Sequence, residues 1–187
     1  MEECLMAAWT VLEHDVASGG AEAYWETTAI SQSHAHLLIV VFGRISSAGA
    51  GRYPYLQMGD GSLDTGSNYG ATTMYARTAA SGTNGIQTGL ESGTKIPLYY
   101  MTDDNEETNV FGCTEIWIPN YANTSYEKSV LAQSSAPDEL AGDYEWCAGM
   151  FAGLWKSTNN VERVRITPSA GSFMQYSTYT LYGIGTA

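Results

Sequence analysis

An antiparallel β-sandwich, jelly-roll-like in its strand spacing, is the fold the sequence predicts. Three observations lead there. Many short runs alternate side chains with a two-residue period, turns rich in Gly and Ser separate them, and aromatic and β-branched residues fill them. Gly (20) and Tyr (13) are abundant among 187 residues, and no repeat of fixed period divides the chain. One β-sandwich domain over residues 21–187, preceded by an N-terminal arm over residues 1–20, accounts for the length.

Residues 1–20 begin with a weakly helical pattern, Leu5, Met6, Trp9 and Leu12, which Ser18-Gly19-Gly20 cuts short before a helix could support itself. An arm or an extended first strand, docked on its own domain or on a neighbour, fits this segment equally well. Ala21–Ile30 alternates around Ala23, Trp25 and Thr27 and reads as a strand. Ser33 to Ile45, rich in β-branched residues, predicts a central strand buried on both sides or one whose outer face meets another subunit. Tyr53–Met58 is the next strand. Gly59 to Gly70 is turn chemistry and reads as a long surface loop.

Thr72–Arg77 returns as a strand, and 78–93 is loop-rich with a short strand at Ile86–Thr88. Lys95–Met101 is a strand placed at a sheet edge by Pro97, which cannot donate to a ladder. Asp103 to Glu107 is an exposed acidic tip, and Val110–Ile118 alternates Gly112, Thr114, Ile116 and Ile118 against Phe111, Cys113, Glu115 and Trp117. Tyr126–Ala132 is a further strand, Pro137–Gly142 a polar connection with room for one helical turn, and Asp143–Leu154 again strand-like. The chain closes on the stretch from Arg163 to Ile184, where two alternating runs, one around Val164 and Ile166 and one around Tyr179 and Leu181, read together as a β-hairpin joined by a turn containing Pro168 and Gly171. Val164 and Ile166 share one face of the first run; Tyr179, Leu181 and Gly183 share one of the second. The total is eight to ten strands.

The formal charge of −12, from 20 acidic against 8 basic residues, repels phosphate backbones, so no nucleic-acid partner is expected. The longest apolar run, Leu37–Phe42, is far short of the ~20 residues that cross a bilayer as a helix, and no membrane partner is expected. Met1-Glu2-Glu3-Cys4 is acidic where a secretory signal needs positive charge. Cys4, Cys113 and Cys147 fit neither a disulfide framework nor a zinc motif; free thiols are expected, with a Cys113–Cys147 bridge left open.

Leu63-Asp64-Thr65-Gly66-Ser67 matches the Asp-Thr-Gly-Ser signature of aspartic proteases, whose chemistry needs two such carboxylates sharing one proton. This chain has one copy, in a turn-forming region. His34 and His36 would point to one face of a strand, a spacing that can pair two metal ligands, yet no third ligand sits at a matching offset and His14 is remote in sequence. They read as polar residues at a strand entrance, where an interface could make them respond to pH. Asp60 with Asp64, and Asp103 to Glu107, offer carboxylates of the kind calcium prefers, but neither loop follows an EF-hand pattern. Asn123-Thr124-Ser125 fits the glycosylation triplet without a secretion signal. No Gly-x-Ser-x-Gly elbow and no phosphate-binding glycine loop with Lys occurs. No catalytic, cofactor-binding or metal residue is therefore assigned and no cofactor is expected. Tyrosine exceeds what a core requires, which points some of it to interfaces.

His36-Leu37-Leu38-Ile39 with Arg44, the turn from Gly59-Asp60 to Asn68-Tyr69, Ile116–Ile118 followed by Asn120-Tyr121-Ala122-Asn123-Thr124, and Ile166-Thr167-Pro168 through Leu181-Tyr182-Gly183-Ile184 together span most of residues 33–184. In these pieces the chain resembles virion structural proteins of tailed bacteriophages. The resemblance implies a jelly-roll-like domain on the phage particle, made in the host cytoplasm, either as the outer part of a tail fibre or as a small separate protein, with no catalytic residues to transfer. Residues 1–32 do not match and no fibre shaft is present, which favours a small attached protein. The expectation is a non-enzymatic capsid decoration (cement) protein, a homo-oligomer of three, whose arm and aromatic faces clamp the major capsid protein or another virion protein. The alternative is a tail-fibre or receptor-binding module contacting host surface glycans or proteins. An Asp64-dependent protease or a polysaccharide-degrading tail protein is the enzymatic rival.

Overall fold

The computed structural model describes residues 9–19, 21–47, 53–77, 85–98, 100–104, 109–140 and 143–185. Among them the chain forms thirteen strands and no helix: β1 (Trp9–Val16), β2 (Trp25–Thr27), β3 (His36–Gly43), β4 (Pro54–Asp60), β5 (Ser62–Leu63), β6 (Tyr69–Arg77) and β7 (Gly85–Gly93). They continue with β8 (Ile96–Pro97), β9 (Gly112–Pro119), β10 (Lys128–Leu140), β11 (Asp143–Trp155), β12 (Arg163–Pro168) and β13 (Thr178–Ile184). The large sheet has the order β1-β13-β3-β9-β10-β11-β6-β7; the small one has β2-β12-β4-β5, with β8 also on β4. The ladders between these strands are antiparallel. The two sheets pack face to face as a sandwich, and the chain passes from one to the other at most of its connections, as in a jelly roll.

Alternation in the sequence becomes inside and outside in the fold. Along β9, Gly112, Thr114, Ile116 and Ile118 are buried while Cys113, Glu115, Trp117 and Pro119 are half-exposed. The inner faces of β3 (Leu37, Ile39, Val41), β13 (Tyr179, Leu181), β4 (Leu56, Met58) and β12 (Val164, Ile166) meet in one core. Trp25 stacks on Phe173 at 4.0 Å between ring centroids and lies 6.0 Å from Tyr179. Three tyrosines, Tyr69, Tyr121 and Tyr179, are fully buried, so part of the tyrosine content serves the core. Each phenol has a partner: Tyr69 donates to the Met58 carbonyl at 2.8 Å, Tyr121 to that of Ser31, and Tyr179 pairs with Thr27 at 2.9 Å. Burial pushes all three phenols above their ordinary value, Tyr69 and Tyr179 the furthest.

Several local expectations are corrected. The closing runs are both strands with the predicted inward faces, but they are not a hairpin: β12 pairs with β2 and β4, β13 with β1 and β3. Residues 169–177 are longer than a tight hairpin turn and cross between the sheets, carrying Phe173 into the core on the way. Over Trp9–Val16 the N-terminal segment is an extended strand docked on β13 of its own sheet, with a bulge between Val11 and Glu13. The Gly59–Gly70 loop contains a tight β4–β5 return, which requires glycine because a Cβ at Gly59 would sit 1.9 Å from the Ser62 carbonyl oxygen. Pro137–Leu140 is not a helical turn; it extends β10 in register with β11, from Pro137↔Trp146 to Leu140↔Asp143. Pro97 does lie on a short edge strand, β8. The acidic tip divides: Asp103 is buried, Asp104 lies 3.5 Å from the buried Arg44 guanidinium, and 105–107 fall outside the described residues.

Candidate functional site

The antiparallel register assembles a surface that no single stretch of sequence displays. On the outer face of the large sheet, one row runs Val11–Tyr182–Leu38–Trp117–Leu131–Ala152–Thr72 across seven strands. The next runs His14–Thr180–Val40–Glu115–Gln133–Met150–Met74, and a third Val16–Thr178–Phe42–Cys113–Ser135–Ala148–Ala76. A shorter row, Trp9–Ile184–His36–Pro119, borders the first. Trp9 (57% exposed), Leu131 (53%), Met74 (54%) and Met150 (49%) stand open to solvent, with Val11 and Phe42 similarly exposed. The Trp9 ring meets Trp117 edge-on at 6.3 Å and Tyr182 at 5.8 Å, and Phe42 stacks on Phe111 at 5.1 Å. Glu115 is the single carboxylate of these rows, although the chain carries 20 acidic residues.

At the β9–β6 end of this face lies a groove of about 830 Å³. Cys113, Ser135, Ala148 and Ala76 line it with small side chains, Met74 and Met150 with long ones, and Glu115 and Gln133 with polar ends. Gln133 Nε2 donates to Glu115 Oε2 at 2.7 Å, and Cys113 is a free thiol pushed up by burial and by the neighbouring Glu115 charge. Cys147, likewise outside any disulfide, is buried on the opposite side of the sheet, so no Cys113–Cys147 bridge forms. Cys4 lies outside the described residues.

The residues singled out by motif are placed elsewhere. Asp64 is a loop clamp: it accepts from the Gly66 amide at 2.8 Å, from Asn68 Nδ2 at 2.9 Å and from the Trp155 indole at 2.8 Å. Burial works against its charge, but the Trp155, Asn68 and Gly66 donors outweigh it and hold the carboxyl below the ordinary range. Its oxygens bond to no second carboxylate. His34 bonds the Gly185 carbonyl at 3.2 Å, His36 accepts the Asn120 amide at 3.1 Å, and His14 pairs with Thr180 at 2.8 Å, so the three histidines do not converge. Among the described residues no three His, Cys, Asp or Glu side chains cluster as metal ligands. No helix among them is long and apolar enough to cross a membrane.

The outer face of the small sheet differs in chemistry. Arg163 and Arg165 both donate to Glu26, the former at 2.8 Å, and Arg165 covers the Tyr24 ring at 4.3 Å. Burial opposes the Glu26 charge, but the Arg165 and Arg163 hydrogen bonds prevail and lower its pKa. Tyr53 meets Tyr55 edge-on at 5.3 Å, with Lys95 Nζ 5.1 Å above the Tyr55 ring. Lys128 is buried at the start of β10; burial lowers its pKa, and its ammonium donates to the Tyr126 and Thr158 carbonyls at 2.8 and 3.3 Å. Comparison with protein-family models, with curated proteins and with solved structures finds no match.

Proposed function

We propose that this chain is a non-enzymatic structural subunit that docks, by the outer face of its eight-stranded sheet, onto the surface of a larger assembly. The observation that carries the reading is the composition of that face: aromatic and Met side chains exposed together, with one carboxylate in an otherwise acidic protein. Charge depletion with aromatic and Met enrichment is the signature of an interface centre, and a contiguous exposed apolar patch marks an interaction site. Three rows across seven strands at ~4.8 Å spacing, ~6.8 Å apart, with a fourth row across four strands, give about 500 Å². A standard interface buries about 800 Å² per partner, so this face supplies most of one.

The resemblance to tailed-phage virion proteins supports a capsid as the assembly, with the chain as a decoration protein on the major capsid protein. Leu131→Lys tests this, because the side chain is exposed and the fold does not need it. The variant is expected to keep its melting temperature and to lose co-sedimentation with intact heads. Recovery of the wild-type protein solely with tails would overturn the head placement. The tail reading rests on a separate observation, the Tyr24, Tyr53 and Tyr55 rings set among Arg163, Arg165 and Lys95, which suits glycan contact; binding of isolated protein to host cells that Tyr55→Ala abolishes would select it.

A further inference from the structure

We infer that the groove beside Glu115 receives a Lys or Arg side chain presented by the protein on which this face docks. The inference rests on the docking reading and adds the chemistry of the partner. Three features of the groove converge on a cation with an aliphatic stem.

The first is shape. Cys113, Ser135, Ala148 and Ala76 succeed one another on four adjacent strands, and their short side chains leave a trough of about 830 Å³ between longer neighbours. The second is the wall. Met74 and Met150 are opposite one another on β6 and β11, and thioether chains adapt to an aliphatic stem better than branched residues do. The third is charge. Among the described residues Glu115 is the one carboxylate on the lining; Gln133 holds its Oε2 from one side, while no described residue bonds its Oε1. An apolar occupant would strip water from that carboxylate with nothing in return, and an anionic occupant would meet its repulsion. A guanidinium or ammonium head would complete it with a charge-assisted hydrogen bond while its methylenes cover the methionines.

The test uses the whole chain with ¹³C-methyl Met and a probe that isolates the side-chain chemistry, n-hexylguanidinium, against n-hexanol and hexanoate. Hexylguanidinium is expected to shift the Met74 and Met150 methyl signals saturably, hexanol far less and hexanoate not at all. Glu115→Gln, close to isosteric and checked for an unchanged melting temperature, is expected to weaken the probe at least 5-fold. Equal shifts from hexanol, an unchanged affinity in Glu115→Gln, or no shift at the two methyls would each overturn the assignment. So would the same methyl shifts appearing with protein concentration alone, which would put a second copy in the groove. Failure here is separable from failure of the docking reading. Heads that release Leu131→Lys but retain Glu115→Gln refute the groove alone, whereas probe binding without head association refutes the docking alone.

Discussion

Asp64 shows how a residue can be conspicuous in sequence for one reason and matter in the fold for another. Its Asp-Thr-Gly-Ser context suggests catalysis, but the indole that fixes it, Trp155, lies 91 residues away and nothing local announces the pair. Asp64→Asn keeps the shape but replaces one of two accepting oxygens with an NH2 that cannot accept and removes the charge from the other, and is expected to cost about 1–3 kcal/mol, read as a fall in the urea midpoint at unchanged slope. The pH dependence follows in sign. Asp64 and Glu26 have folded pKa values held below their ordinary 3.8 and 4.5, so the stability they contribute is present above those values. It is lost as pH falls through the lower, folded values. In Asp64→Asn the melting temperature should therefore fall less steeply below pH 4 than in the wild type. Gly183 makes a similar point for the closing motif. A Cβ there would lie 2.4 Å from the His34 ring, so Gly183→Ala must displace that imidazole from the Gly185 carbonyl; a loss of about 1–3 kcal/mol is expected by thermal or urea unfolding.

At the level of elements, what alternation specifies is the face of a strand, and what it leaves open is the partner. β9 is legible almost residue by residue, since each inward position is apolar or small and each outward one larger or polar. β12 and β13 have the expected inward faces too, yet they belong to opposite sheets, because the same pattern serves a hairpin and a strand pair facing across a core. The separating signal was Phe173, a large apolar side chain inside a segment read as a turn. Its burial against Trp25 makes the 169–177 crossing part of the core. Phe173→Ala should cost about 3–5 kcal/mol by urea unfolding, where an aromatic in a solvent-exposed hairpin turn would cost almost nothing. The candidate face was legible only in fragments. Leu131, Met150 and Met74 lie on three different strands, and their adjacency exists only once Leu131↔Ala152, Gln133↔Met150 and Met150↔Met74 are in register.

For the whole molecule, the distribution of charge bears on function more than its sum. In a chain of −12 the rows of this broad face hold one carboxylate, Glu115, so that at neutral pH the repulsion between copies protects a surface that would otherwise aggregate. That protection depends on pH. The sequence isoelectric point is about 4.4, so near it the repulsion between copies vanishes. The wild-type protein is therefore expected to self-associate reversibly between about pH 5 and 4.4, detected by light scattering with an unchanged circular dichroism spectrum. Leu131→Lys places a charge at the centre of the face and should suppress the scattering by more than its small shift of the isoelectric point allows. Lysine placed instead at the half-exposed Ser157, off these rows, adds the same charge and should leave most of the scattering in place. If both lysines act alike, net charge alone governs association and the apolar face has no special part in it.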